Sequence, residues 1–408
     1  MAGRRERIPE LDGLRVLMIF IVSWYHVWQQ SWLMPVIRID SLHFLYSLDY
    51  LVRSGYIWVD GTVLLSVFLL YMPWAEARLN GTPVPDTRDF YFRRAKRILP
   101  GYFFIVLLHL FAVALPWGLY TSAPFMVKDL ATHLTFTFTL FSDTYLNTRL
   151  GGAAWTLAIL VQGYALFPLA AGGVRRHPVI TLSAMALVCY GFRAWCVWGL
   201  AEYNMVVNQL INFLDVYVIG ILCAIGDVTY ASRRKTRMER KKYRYIETAA
   251  ATAVFLLSLW ALLSMLRIQA GHAADQTQLQ KYQMMYRPVF AICFAGMMVS
   301  ARFTVPPLRK LLGNPVTKFL GAVSMNYYLV HQTVAVHLKR LNIPGHVSEY
   351  PNQYSEQPWQ TQYTWLCFGI SFVLAVLITF LIEKPGGKLF DCFRKKAVPA
   401  EPSSSGIQ

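Results

Sequence analysis

Charged side chains are scarce in this 408-residue chain, and this scarcity indicates whether the chain folds in water or in a membrane. Only 15% of the residues are charged and 55% are hydrophobic, whereas an ordinary soluble domain has roughly 25% charged residues. Such a composition is typical of a chain embedded in lipid. The Lys and Arg residues lie in short segments between apolar stretches, so the net charge of +17 indicates membrane topology and not nucleic-acid binding.

Motifs for several common chemistries are also missing. No nucleotide-binding P-loop, HExxH zinc motif or GxSxG nucleophile elbow occurs where the predicted structure would suit it. The six cysteines show no metal-ligand spacing and fall mostly inside apolar stretches, so we interpret them as small buried hydrophobic residues. We therefore expect no metal site, no zinc catalysis and no nucleotide hydrolysis.

Long apolar runs, in contrast, are abundant. About ten of them reach the length of roughly 20 residues that a helix needs to cross a bilayer. The sequence therefore predicts an all-α integral membrane protein of about ten transmembrane helices. The first run is too long, and too interrupted by polar residues, to be a cleavable signal. The predicted spans are 14–36, 57–75, 98–117, 153–173, 179–199, 209–227, 246–266, 288–304, 318–339 and 363–383.

The basic segments predict the orientation of these spans. With ten crossings they all fall on one face, which the positive-inside rule assigns to the cytoplasm together with both termini. We expect a multi-pass protein of the cell membrane, surrounded by lipid, with one transmembrane domain over 1–396 and a disordered tail over 397–408. A Thr-rich stretch at 131–141 is too short to span and is predicted to be re-entrant or interfacial. The basic segments are 4–7, 78–97, 175–176, 233–244, 309–318 and 384–396.

Two ionisable residues interrupt the first span. An ionisable group inside a bilayer helix costs roughly 2.5–3.5 kcal/mol, so such groups are rarely kept without a use. Arg15 and His26 are separated by ten residues, which places them roughly 16 Å apart along a helix axis. Arg15 can thus lie at the inner interface while His26 reaches the middle of the membrane. The alternatives are an interfacial snorkelling arginine and an aromatic-belt histidine.

Six local patterns, in order along the chain from residue 8 to about 390, resemble those of the acyltransferase family 3 membrane proteins. Two of them depart from the family pattern. Leu160 stands where the fourth motif usually has Glu, and Val67 stands where the second usually has Gly. Gln162 is a candidate to replace the missing carboxylate. The patterns are LDGLR at 11–15 with His26, VDG at 59–61 with LSVFL at 65–69, FRRAKRILP at 92–100, WTL at 155–157 with Tyr164 and Pro168, SMNYYLVH at 324–331, and EKP at 383–385.

The resemblance implies transfer of an acyl group from acyl-CoA to a hydroxyl-bearing acceptor. By the same resemblance the acceptor is a cell-envelope glycan or a lipid-linked sugar, and acetyl is the expected acyl group. CoA carries several phosphates, and Arg is the residue best suited to bidentate phosphate contacts. We therefore predict that the donor is bound by Arg15, Arg93, Arg94 and Arg97. For the last three, positive-inside topology alone is the alternative explanation.

Acyl transfer to a hydroxyl also needs a base, and a neutral imidazole suits operation near pH 7. We predict His26 as general base or transient acyl carrier. His331 should reach a similar depth in its own span and share one polar cavity with His26; a satisfied core histidine is the alternative. Asp60 is a third catalytic candidate, which would orient an imidazole or contact the acceptor.

Trp155, Tyr327 and Ser324 are the candidate substrate contacts. Tyr327 and Ser324 lie one and two helical turns below His331 on a similar face, and Trp155 would either stack on the acceptor or pack in the core. A transporter or flippase for an amphipathic sugar or lipid is the main alternative function, although the chain shows no paired halves of the kind many transporters have. A membrane sensor or scaffold without chemistry is the other. The sequence does not define the oligomeric state.

Overall fold

The computed structural model describes residues 7–39, 44–237 and 241–397, and helices dominate these ranges. One antiparallel hairpin, β1 (Val36–Ile39) and β2 (Phe44–Ser47), follows the first helix. Two π-helical turns, Leu110–Ala114 and Thr379–Glu383, continue α4 and α14. The helices are α1 (Glu10–Ser31), α2 (Asp49–Arg53), α3 (Trp58–Leu79), α4 (Thr87–His109), α5 (Ala123–Leu134), α6 (Ser142–Leu146), α7 (Trp155–Arg176), α8 (Pro178–Gly199), α9 (Leu214–Arg237), α10 (Lys241–Ala270), α11 (Gln276–Ser300), α12 (Pro306–Leu312), α13 (Pro315–Arg340), α14 (Trp359–Ile378) and α15 (Lys384–Ala397).

Within the described residues, nine helical segments are long and apolar enough to cross a membrane. The predicted class of all-α multi-pass membrane protein is thereby confirmed. The tenth predicted span, 318–339, corresponds to α13, a 26-residue helix of comparable length but more polar composition. Its polar residues are tolerable because α13 packs between α1 and α14, and Ser324, Asn326 and His331 are buried there. The predicted tail at 397–408 lies, beyond Ala397, outside the described residues.

If α13 crosses the membrane together with the nine apolar segments, the basic segments lie at one end of the bundle, which we call the basic face. It contains the start of α1, the start of α4, α12 and α15. Two close contacts hold these parts together. A Cβ on Gly13 would lie 2.2 Å from the carbonyl oxygen of Leu312, so only glycine lets α1 approach α12 this closely. Lys96 near the start of α4 pairs with Asp391 of α15. The cytoplasmic orientation of this face is still a prediction.

Several predicted helix boundaries were wrong, mostly because the apolar spans used to predict them do not include the polar turns at the ends of the helices. α4 begins at Thr87 and not at 98, since Asp86 caps it by accepting a hydrogen bond from the Asp89 amide at 2.7 Å. α11 likewise begins at Gln276 and not at 288. α1, in contrast, ends at Ser31 and not at 36, because Trp32 adopts a left-handed conformation with φ of 53°.

The face opposite the basic face carries the hairpin, α2, and the short helices α5 and α6. Buried Asp129 of α5 organises this region by accepting hydrogen bonds from the Tyr120 hydroxyl at 2.8 Å and the Arg149 amide at 2.9 Å. Burial opposes the charged form of Asp129, but the hydrogen bonds from His133, Arg149 and Tyr120 prevail and lower its pKa. The stretch predicted to be re-entrant or interfacial thus consists of the end of α5 and two short turns beside this anchor.

Candidate functional site

A cavity of about 230 Å³ opens between α1, α3, α4, α7 and α13. Three of the four arginines predicted to bind the donor line it: Arg15 from α1, and Arg94 and Arg97 from α4. Carboxylates are absent from its lining as far as the structure describes it. The remaining lining residues are Ile19, Val22, Val59, Thr62, Leu65, Ser66, Leu69, Ile98, Thr156, Leu157, Leu160, Tyr164, Ser324, Met325 and Tyr328.

Helical phase and position along α4 together determine which of its basic residues reach the cavity. Phe90, Arg94, Ile98 and Gly101 follow the three-to-four-residue spacing of one helix face, and three of them (Phe90, Ile98 and Gly101) are buried. Arg93 lies one turn before Arg97, so it starts nearer the end of the helix; it is half exposed, and its Nη1 is 3.3 Å from Asp89 Oδ2. The structure therefore brings Arg94 and Arg97 into the site and leaves Arg93 outside it.

The cavity arginines are held with few neutralising partners. Arg94 lies near the rings of Phe90 and Tyr164, with its guanidinium carbon 5.8 Å and 5.9 Å from their centroids, and its buried Nε has no hydrogen-bond partner among the described residues. Arg15 Nη1 is 3.7 Å from Asp12 Oδ1. The Glu383 carboxylate interacts with Arg97 electrostatically from outside the cavity lining. Among the described residues, three cations thus line a cavity to which no carboxylate contributes, and such a lining favours binding of an anion.

Above the cavity, the rings of His26 and His331 face each other with centroids 5.1 Å apart. His26 continues the stripe of Arg15, Ile19 and Val22 along α1, and His331 continues the corresponding stripe of α13. His26 lies five residues before the end of α1, closer to that end than predicted, because α1 ends at Ser31 and not at 36. The two histidines therefore lie side by side, as predicted.

Hydrogen bonds define which nitrogen of each imidazole is free. His26 Nδ1 lies 3.0 Å from Oε1 of Gln29, and Nε2 of the same amide donates to the Tyr25 hydroxyl at 2.9 Å. Because an amide oxygen only accepts, Nδ1 carries the hydrogen and Nε2 keeps its lone pair. His331 likewise donates from Nδ1 to the Tyr328 carbonyl, and its buried Nε2 has no partner among the described residues.

Tyr328, which sequence reasoning missed, lines the cavity where Tyr327 was predicted. Its hydroxyl donates to the Ala153 carbonyl at 2.6 Å and lies 2.8 Å from Oγ1 of Thr156. Ser324 lines the cavity as predicted, while Tyr327 stacks beside His331 at 6.4 Å between centroids. Spacing alone could not choose between the two tyrosines, because residues three and four positions before His331 both share its helix face.

Trp155 and Gln162 lie outside the cavity lining. Trp155 is partly buried and packs against the main hydrophobic core, beside Thr156, which does line the cavity. Gln162 donates to the Phe136 carbonyl at 2.8 Å and to Thr139 at 3.0 Å, so it anchors the segment at the opposite face. Leu160 does line the cavity, and the position of the usual carboxylate is therefore apolar here.

Asp60 lies against Arg287 in the bundle, and both side chains are almost fully buried. Arg287 Nε is 3.2 Å from Asp60 Oδ1, while Arg287 Nη1 donates to the carbonyls of Val207 and Asn212. A second buried pair, Arg193 with Asp215 at 2.7 Å, shares Asn212. Neighbours of Asp60 line the cavity, but Asp60 does not. Arg287 was missed because its position lay just outside the predicted span at 288.

These features define a multi-pass membrane protein with a cationic cavity and, one helical turn beyond two of its lining residues, a histidine pair. The family model of acyltransferase family 3, described as an acyltransferase domain, matches residues 8–384. The chain belongs to this family and is a membrane acyltransferase. Comparison with curated proteins and with solved structures gave no match.

Proposed function

We propose that the protein transfers an acyl group, with acetyl the expected one, from acyl-CoA to a hydroxyl of a cell-envelope glycan or lipid-linked sugar. One observation carries the proposal: a cavity at the basic face is lined by Arg15, Arg94 and Arg97, and also by Val22 and Tyr328, which lie one helical turn before the paired rings of His26 and His331. Arginines suit the phosphates of CoA, and an imidazole suits the activation of a hydroxyl.

The proposed mechanism assigns donor binding to the arginines of the cavity and proton transfer to His26. Arg15, Arg94 and Arg97 hold the phosphates at the basic end, and the apolar wall between them and His26 excludes water from the thioester. His26 Nε2 accepts the proton of the acceptor hydroxyl as its oxygen attacks the acyl carbonyl, and the CoA thiolate leaves. In the variant mechanism, Nε2 itself carries the acyl group before the acceptor receives it.

Purified protein, radiolabelled acetyl-CoA and an envelope extract test the overall reaction. We expect free CoA to be released and label to appear in extracted glycan or lipid-linked sugar. Uptake of a labelled sugar or lipid into proteoliposomes, with no release of CoA, would instead favour the transporter alternative and contradict the proposal.

The donor site makes a prediction with a control on the same helix. Arg94→Gln and Arg97→Gln should each weaken binding of acetyl-CoA about tenfold, because each removes a charge-assisted contact to phosphate. Arg93→Gln is the matched control, since Arg93 pairs with Asp89 outside the cavity. Titration calorimetry measures the three affinities. Equal losses in all three variants would show that only the overall charge matters.

The contact between Lys96 and Asp391 should help to hold α4 in the phase that directs Arg94 inward. Asp391→Lys, which places two like charges together, should weaken acetyl-CoA binding roughly fivefold, and adding Lys96→Asp should restore it. Lys128 and Asp143, 2.6 Å apart and similarly exposed at the opposite face, provide a matched swap that should leave binding unchanged. Failure of the double variant to recover would contradict a positioning role.

A further inference from the structure

A second cavity, which the proposed reaction does not use, lies between α4, α13 and α14. It measures about 280 Å³, and we call it the lateral groove. Its walls are almost entirely aliphatic, and Leu108 and Ile370 at its edges are 40% and 36% exposed. The lateral groove is lined by Ile105, Leu108, His109, Ala112, Val113, Val330, Thr333, Val334, His337, Leu338, Leu341, Ile370 and Leu374.

The groove spans only the half of the bundle next to the opposite face. Its wall on α13 runs from Val330 to Leu341, which is roughly 16 Å at the rise of an α-helix. That length is about half of a hydrocarbon core roughly 30 Å thick. The groove therefore matches one hydrocarbon chain of a single leaflet.

Two histidines break the aliphatic lining. His109 is buried and its Nδ1 lies 3.2 Å from the Thr333 hydroxyl, and its ring centroid is 5.9 Å from that of His337. Gly151 closes the groove behind His109, where a Cβ would lie 3.3 Å from Nδ1. Ionisable residues at membrane depth are costly and usually functional, and neither histidine belongs to the cavity below the His26–His331 pair.

A cation marks the rim of the groove at the opposite face. The guanidinium carbon of exposed Arg340 lies 3.9 Å from the ring centroid of Trp117, which also approaches His337. Arg340 forms no salt bridge within the described ranges. A basic side chain without a carboxylate partner, at the head of an apolar groove, is complementary to an amphiphile with an anionic head.

We propose that the lateral groove is a lipid-binding site that takes one hydrocarbon chain of a phosphate-bearing lipid. The chain lies along the aliphatic wall, and the phosphate lies at the rim beside Arg340 and His337. The site is independent of the proposed transfer reaction, because binding can be measured without any acyl donor.

Native mass spectrometry of the purified chain with a polyprenyl phosphate tests the site, with the uncharged polyprenol as a second probe. We expect the protein to retain polyprenyl phosphate and to retain polyprenol about tenfold less. Ala112→Trp fills the groove and should abolish retention, whereas Leu187→Trp, on the 73% exposed surface of α8, should not. Arg340→Gln, a surface change that leaves the fold intact, should remove only the preference for phosphate.

Phosphatidylglycerol is added as a third probe to determine which class of phosphate lipid the groove prefers. The site is supported if the protein retains either phosphate lipid and Ala112→Trp abolishes that retention. The lipid that is retained more strongly indicates the preferred class. Equal retention in Ala112→Trp and Leu187→Trp would overturn the groove as the binding site. Equal retention of polyprenyl phosphate and polyprenol in the unchanged protein would overturn the role of Arg340 and His337.

Discussion

His26→Ala should reduce acyl transfer by at least about 100-fold, the lower end of the contribution of a positioned general base. The reason is geometric: Nε2 of His26 is the free nitrogen that lies above the cationic cavity, while Nδ1 is occupied by Gln29. Affinity for acetyl-CoA should change little, because the proposed mechanism assigns the phosphates to the arginines. Turnover and calorimetric affinity measured on the same preparation separate the two effects.

His177→Ala is the control for this change, since His177 is exposed in the turn before α8 and lines neither cavity. Gln29→Leu provides a graded variant, because it frees the imidazole to adopt the other tautomer without removing it. We expect it to lower turnover about tenfold with unchanged donor affinity. Unaltered turnover in His26→Ala would refute the role of this residue.

The second large effect concerns stability. Arg287→Met leaves the carboxylate of Asp60 buried without its partner, and breaking a buried pair in this way costs about 3–5 kcal/mol. The two side chains are 0% and 1% exposed, so water cannot compensate. The apparent melting temperature in detergent should fall sharply. Arg302→Met, in a pair where the arginine is 22% exposed, should have the smaller effect.

The double variant Arg287→Met with Asp60→Leu distinguishes a structural from a catalytic Asp60. Replacing both partners by apolar residues removes the unpaired charge and should restore much of the lost stability. If the double variant is stable and active, Asp60 serves the fold. If it is stable and inactive, Asp60 contributes to catalysis as its sequence position suggested.

Residues on a single helix stripe were predictable from the sequence, because helical spacing needs no tertiary information. Arg15 and His26 follow that spacing, and His331 was correctly placed beside His26 from its depth in its own span. The predicted span began at 98 and so left the arginine cluster outside any helix. Helical spacing alone would still not have excluded Arg93, because it shares a face with Arg97 four residues later. Its pairing with Asp89 outside the cavity is visible only in the structure.

Contacts between distant helices were not predictable. The pairing of Asp60 with Arg287 joins positions 227 residues apart, and no local pattern links them. The lateral groove arises where three helices diverge, which depends on crossing angles and not on any motif. The choice of Tyr327 over Tyr328 was an error of one residue, but a shift of one residue rotates the side chain by about 100° around the helix axis.

The unbalanced positive charge of the donor cavity has a consequence for the choice of buffer. A pocket that is lined by Arg15, Arg94 and Arg97, and by no carboxylate of the described residues, attracts small anions. Sulfate, phosphate or pyrophosphate in the medium should therefore compete with the donor and raise the apparent melting temperature of the protein through mass action. Affinities measured in phosphate buffer would underestimate donor binding, and a stabilising additive would act as an inhibitor.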